Sequence, residues 1–242
     1  ERFPRIEAPL GALHVHRGGA VHLPDYTRAL TQKAHELGAT IRSNYEVTGF
    51  GDTPGGAYVD VSRNGPFKDT ERIYARHVIL AWGHRFIENV PDLDVNIVKG
   101  QTIRLTWPHG LRLADLVPTS SNGYLIPGKD AIAVGSTFEH TYSTPLPTEA
   151  AAIDLHDRAA RLVPALAVSR VIDGQAGFRL TTPGLRRPIV GPLPGHQFVY
   201  TFSAFGSKGL LLSALLAREL PDYLDNPSCT PEDLLPQTRP VT

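Results

Sequence analysis

Apolar residues return every three to four positions between 25 and 37, where Tyr26, Leu30, Ala34 and Leu37 fall on one face of a helix. Asp25 stands where an N-cap is expected, and Gly38 where the helix should stop. Beyond it the period shortens. ATIRSNYEVTGF (39–50) alternates as a strand, GDTPGG (51–56) turns the chain, AYVDVSR (57–63) reads as a second strand and ERIYARHVILAWG (71–83) as a third. The third ends in the almost unbroken apolar run 78–82, as in a parallel strand covered on both faces.

The middle of the chain is richer in strand patterns: NIVKGQTIRLTW (96–107), GYLIPGKDAIAVGSTF (123–138) and HQFVYTFSAF (196–205), divided by Gly and Pro turns. One helix interrupts them at TEAAAIDLHDRAARL (148–162), with Thr148 as its cap and Pro164 beyond its end. Ile153, His156, Ala160 and Leu162 are its expected packed stripe, which gives His156 a packing or surface role. Residues 173–195 are punctuated by Gly and Pro and carry three arginines. The helix 209–224 is apolar enough to be expected buried on most sides, and a Pro-rich tail follows Pro227.

Composition narrows the classes. In 242 residues there are 24 basic and 24 acidic side chains, so no net field draws in nucleic acid or anionic lipid, and nucleic acid is not expected as a partner. The single cysteine, Cys229, excludes an internal disulfide and a Cys-based zinc site, and a reducing, cytoplasmic setting is expected. No apolar run reaches membrane-spanning length. His14 and His16 alternate along what reads as a strand, but spacing places no third metal ligand with them.

The stretch TFSAFGSKGLLLSALLARELPDYL (201–224) carries the best chemical signal. Gly206 and Gly209 permit close backbone approach to a ligand, and the following helix offers unpaired N–H groups at its positive end. Lys208 sits at that end, where the helix dipole disfavours a cation. It either meets an anion or stays in solvent. Arg179 has the same duality, since an arginine can grip a carboxylate with two bonds or decorate a loop.

Five stretches in order carry a resemblance to the FAD-dependent oxidoreductases of the D-amino-acid oxidase superfamily, in the glycine oxidase, sarcosine oxidase and D-amino-acid dehydrogenase branch. They are GGAVHLPDYTRALTQKAHELGATI, ARHVILAWG, VKGQTIRLT, YLIPGKDAIAVGSTFE, and GFRLTTPGLRRPIVGPLPG with VYTFSAFGSKGLLLSALLARELPDYL. The resemblance implies an α/β fold: the C-terminal part of an FAD-binding Rossmann-like domain interleaved with a β-rich, mixed-sheet substrate-binding domain. Residues 1–16 and 92–175 are expected in the substrate-binding domain, 17–91 and 176–226 in the FAD-binding portion, and 227–242 in the tail.

The resemblance also implies a flavoprotein that oxidises a small-molecule amine or amino acid, moving a hydride from the C–N carbon to the flavin. No side-chain base is nominated. By position, Val47, Ala81, Trp82, Gly83, Gly206, Ser207, Lys208, Gly209 and Leu210 are implied as FAD-binding. Arg179, Lys208 and Tyr124 are implied to bind substrate. The FAD is expected to be non-covalent, because Cys229 lies outside the matched stretches.

One departure stands out. The family's opening strand, Gly-x-Gly-x-x-Gly turn and acidic residue are not in this sequence. The expectations are a fragment, a chain completed by a missing N-terminal segment or a second chain, or a non-catalytic scaffold that has lost the flavin. GSTFE and FGSKGLLLSA are also similar to the oxidoreductase part of the bifunctional enzyme that trims carboxymethylaminomethyl-uridine in tRNA.

Overall fold

The computed structural model describes residues 3–63, 69–84, 93–184 and 186–237. Helix α1 (Leu23–Glu36) leads into β1 (Tyr45–Thr53), β2 (Gly56–Arg63), β3 (Thr70–Ala75) and β4 (Val78–Leu80). Next come β5 (Asn96–Leu105), β6 (Thr119–Ser121), β7 (Gly123–Pro127), β8 (Ile132–Gly135) and α2 (Glu149–Leu162). Strands β9 (Val171–Thr181), β10 (Ile189–Pro192) and β11 (Val199–Ser203) precede α3 (Gly209–Asp225). The mixed α/β architecture is the expected fold class. The chain forms two compact units, Glu1–Lys33 with Val98–Gly177, and Ala34–Ile97 with Phe178–Thr242. Among the described residues no helix is long and apolar enough to cross a membrane.

Helix α1 begins at Leu23, ahead of the cap that its sequence pattern indicates at Asp25. Pro24 is tolerated in a first turn, where its missing N–H has no partner to lose. Asp25 is therefore a first-turn residue, not the cap, and accepts from His22 Nδ1 (2.7 Å) and Arg28 Nη1 (2.8 Å). Gly38 ends the helix at φ 93°, with Ala39 N–H donating back to Ala34 O at 3.0 Å. No residue of α1 is buried.

In the first unit, the sheet carrying β6, β7, β8 and β5 packs one face on α2. Ile103, Leu105, Leu125, Ile132 and Val134 meet Leu155, Ala159, Val163 and Leu166 there. Thr148 caps α2 as its sequence implies, accepting from Ala151 N–H at 3.3 Å. The packed stripe is offset from the expected one: Leu155 and Ala159 are buried, whereas Ile153 is 56% exposed. His156 Nε2 lies 3.0 Å from Leu166 O, a packing role. The sheet order is β6-β7-β8-β5-β9, and β9 occupies the start of a stretch whose glycines and prolines mark it in the sequence as turn-rich. Its signal is the small or apolar residue at every second position from Ile172 to Leu180.

A buried lysine organises the edge of this unit. Lys99 is 0% exposed and its Nζ donates to Thr144 O (2.9 Å) and Leu146 O (2.8 Å), 3.6 Å from Glu139 Oε2. Gln101 links Glu139 to Thr148, the cap of α2, through Nε2 at 2.8 and 3.2 Å. Burial works against the charge on Glu139, but Thr137, Gln101 and Lys99 outweigh it and hold the carboxyl below its usual value.

In the second unit, the single strand expected over 71–83 is divided. Strand β3 pairs with β2 as far as Ala57 opposite Ala75, where the β1–β2 hairpin turn leaves no further partner. After Arg76 and His77 the chain takes a new one: Val78 N–H donates to Phe198 O at 3.0 Å, and β4 runs parallel to β11. The resulting sheets are β1-β2-β3 and β10-β11-β4. Ala57, Val78, Leu80, Leu193 and Val199 form the core between them. Asp52 ties the hairpins by accepting from Gln197 N–H (2.8 Å) and Phe198 N–H (2.9 Å). Helix α3 buries Leu216 and Tyr223 but leaves Leu210, Leu211 and Leu215 45%, 76% and 43% exposed, so it is not covered on most sides by described residues. The tail through Gln237 packs back, with Asp94 N–H donating to Gln237 O and Leu234 joining the cluster under α3.

Candidate functional site

Parallel strands place their C-terminal ends at one edge of a sheet, and both chains leave there into loops. Here Leu80 is level with Thr201 on the parallel pair β4–β11. Beyond these ends lie Ala81-Trp82-Gly83 on one chain and Ala204-Phe205-Gly206 on the other. Ser203 Oγ donates to Trp82 O at 3.3 Å and joins the two exits. Trp82 packs edge-on against Phe50 at 5.8 Å between centroids.

The exit after β11 is sharply bent. Ala204 has φ 58° and Gly206 φ 55°, left-handed values that fold the backbone back on itself. An added Cβ on Gly206 would come no closer than 3.7 Å to Thr181, so conformation and not crowding calls for glycine there. A bridge between Thr181 and Phe205 sets the end of β9 beside this bend. Arg179, half-buried, is two residues before Thr181 on that strand.

A single 3-10 turn, Gly206–Lys208, then delivers α3. Its N-cap is Lys208, which makes no side-chain capping bond, and the first turn holds no acidic residue. The first N–H groups of α3 therefore lack the usual carboxylate or hydroxyl, and an exposed ammonium and an exposed serine hydroxyl, Ser207, stand beside them. This arrangement suits an anion or an electron-rich ring edge. The residues present fit that part of a flavin nucleotide. The fitting set is Gly206 to Leu210 with the neighbouring Ala81, Trp82 and Gly83.

Val47 is placed differently. It pairs with Val61 in the β1-β2-β3 sheet, next to a bulge before Gly49, and it is Phe50 of the same strand that touches Trp82. Tyr124 belongs to the other unit, on β7 opposite Gly135. That unit has a cavity of about 180 Å³ between α2 and the β6–β7 hairpin, lined by Leu125, Val134, Leu155, Arg158 and Ala159 among others. It holds none of the residues expected to bind FAD. Among the described residues no three His, Cys, Asp or Glu side chains cluster as metal ligands, and His14 and His16 lie in no strand, with ring centroids 4.5 Å apart.

Sequence reasoning passed over Gly135 and Thr102, which flank Tyr124 across the sheet, and the Lys99–Glu139 network. A glycine inside a strand pattern was the available signal for the first.

The family model described as FAD dependent oxidoreductase (DAO) matches residues 1–222. The chain is 31% identical over 178 residues to the tRNA 5-methylaminomethyl-2-thiouridine biosynthesis bifunctional protein MnmC of Marinobacter nauticus, covering 66% of this chain and 28% of that protein. It is 32% identical over 150 residues to glycine oxidase of Pseudomonas aeruginosa, covering 60% of this chain and 39% of the relative. Glycine oxidase from Geobacillus kaustophilus shares the fold at TM-score 0.70 and 23% identity, over 90% of this chain and 58% of that one. Iminodiacetate oxidase from Chelativorans sp. BNC1 does so at 0.71 and 21%, over 88% and 57%. The chain thus spans between 28% and 58% of the length of these relatives.

Proposed function

The chain belongs to the DAO family of FAD-dependent oxidoreductases, and from that premise we propose that it forms part of an enzyme oxidising an amine or amino acid that bears a carboxylate. The observation that carries the reading is the uncapped, lysine-headed N-terminus of α3 at the shared exit of β4 and β11. FAD, when bound, supplies the two-electron acceptor for the C–N carbon of the substrate. The chain's own residues position and exclude. Gly206 to Leu210 present backbone N–H groups and the Lys208 ammonium to the cofactor, Ala81 to Gly83 border it, and Val47 offers strand backbone to the adenine region. Arg179 and Lys208 hold the substrate carboxylate, and Tyr124 lines the pocket. Cys229 lies in the tail, with Asn226 Nδ2 donating to its Sγ at 3.0 Å, and on this reading the FAD is bound non-covalently.

On this reading residues 17–91 and 176–226 serve the cofactor, and 1–16 and 92–175 the substrate. A strand and helix carrying a Gly-rich turn, from the same or another polypeptide, completes the pyrophosphate site. In support, β4 is an edge strand of its described sheet and Ile79 on it is 40% exposed.

A second reading rests on the likeness to MnmC: an amine substrate carried on tRNA. Equal numbers of acidic and basic residues give the chain no general attraction for RNA. The test uses the full-length FAD-loaded protein with glycine, sarcosine, iminodiacetate and modified tRNA, scored by reduction of an artificial electron acceptor. Arg179→Ala is expected to raise KM for the carboxylate-bearing amines about a hundredfold, the loss of a bidentate charge-assisted contact. Turnover of the tRNA alone would move the assignment to the second reading, and unchanged kinetics would remove Arg179 from the site.

A further inference from the structure

Three residues stand in a row across the first unit's sheet. Gly135 on β8 is directly opposite Tyr124 on β7 and Thr102 on β5. All three lie on the face away from α2, since the intervening residues Leu125, Val134 and Ile103 are the ones that pack beneath the helix. A Cβ built on Gly135 would meet Tyr124 Cζ at 2.6 Å, Tyr124 Oη at 2.7 Å and Thr102 Cγ2 at 2.8 Å. The phenol therefore lies down across β8 in the space a side chain at 135 would fill, its hydroxyl end reaching toward Thr102.

The second unit has a pair of the same kind with a different finish. Tyr58 lies over Gly51, its cross-strand partner, with phenol atoms 2.8–3.0 Å from where a Cβ on Gly51 would stand. There the Arg72 guanidinium sits 3.9 Å from the ring centroid and is itself held by Asp60 at 2.7 Å, so the ring is filed between glycine and arginine as a strand-strand tie. Tyr124 is half-buried and lies within residues 92–175, which on the proposed reading serve the substrate. Its height above β8 is fixed by what residue 135 lacks. Tyr124 is anchored at its own Cα on β7, so any bulk at 135 forces the ring up and outward.

We propose that Gly135 is a positioning and specificity-determining residue: by lacking a side chain it keeps the Tyr124 phenol down on β8 and so sets the depth of the amine-substrate pocket. This rests on the reading that Tyr124 lines that pocket. A larger residue at 135 raises the floor, and substrates with bulky groups on the amine carbon or nitrogen lose more than glycine does.

The experiment is a double-mutant cycle in the full-length FAD-loaded protein with Gly135→Ala, Tyr124→Ala and the double variant, reading KM, kcat and Tm. Gly135→Ala is expected to raise KM about tenfold for a bulky amine and less for glycine, with a smaller change in kcat. The same substitution in the Tyr124→Ala background should leave KM unchanged, because the ring it displaces is gone. An equal KM penalty in both backgrounds, where Tyr124→Ala itself shifts KM, overturns the role of Gly135 and leaves Tyr124 in the pocket. A Tyr124→Ala enzyme with wild-type KM for every amine, alongside a Tm coupling between the two positions, overturns the pocket reading and this inference with it. Should Gly135→Ala not fold, the same substitution is read in the Tyr124→Ala background, where the ring no longer fills the space beside residue 135. Recovery of folding there supports the competition between ring and side chain, and failure to fold in both backgrounds counts against the proposal.

Discussion

Helices α2 and α3 are of similar length, 14 and 17 residues, and are finished in opposite ways. The first has a threonine cap, Glu149 in its first turn, Arg161 in its last, an Arg158–Asp154 pair one turn apart, and its two fully buried residues turned to a closed core. Each feature follows the rules for a helix that has only to be stable. The second begins after a left-handed glycine, takes a lysine as cap, has no acid in its first turn and no base in its last, and exposes Leu211 and Leu215. A helix that lacks the favourable charge at both ends and takes a lysine as its cap, while its body still packs on Val190, gives up stability at the end where a ligand is expected.

That contrast can be broken in four places. Gly206→Val forces a β-branched residue to φ 55°, at a cost of about 1–2 kcal/mol in the left-handed region. The bend before α3 should open, and FAD affinity should fall about thirtyfold by fluorescence titration, whereas a retained affinity would show that the bend is incidental. Lys208→Asp is expected to raise Tm, since an acidic cap suits the dipole, while weakening FAD binding about tenfold. The matching change on the other helix, Thr148→Ala, should cost about 1–2 kcal/mol of stability in denaturant melts and leave FAD affinity untouched.

The smallest effect is on pH dependence. Glu139 has a carboxyl held below its usual value in the folded protein, so the stability it contributes is full above 4.5, the value of the free group. That contribution is lost as pH falls below 4.5 through the folded value. Glu139→Gln should flatten the part of a Tm–pH curve that lies below 4.5, and an identical slope in both proteins would mean that the Lys99 network is not linked to acid unfolding.

The two helices also differ in how well their sequences disclose them. For α2, Thr148 and Pro164 mark both ends, but the buried face is ambiguous in the sequence: Ile153 and Leu155 are two positions apart among alanines that suit either face, and only the tertiary partner decides that Leu155 and not Ile153 turns inward. The bounds of α3 were legible, but apolar content alone could not say which face the rest of the fold covers. The division of 71–83 was hidden for a similar reason, because a strand stops where its neighbour turns, and that neighbour's length is a property of the β1–β2 hairpin. Arg179 was legible as a residue and misjudged in setting, being on a strand and not in a turn-rich loop. Gly135 could be seen only once Thr102 and Tyr124 were known to be its neighbours, a fact that resides in sheet pairing.

The most direct test of the central claim, that the head of α3 is built for the cofactor and not for the helix, is a side-by-side FAD titration and melt of wild type, Lys208→Asp and Thr148→Ala in the full-length protein. The account predicts a more stable Lys208→Asp protein that binds FAD about ten times less tightly, and a less stable Thr148→Ala protein that binds it normally. Equal FAD affinity in all three would contradict it.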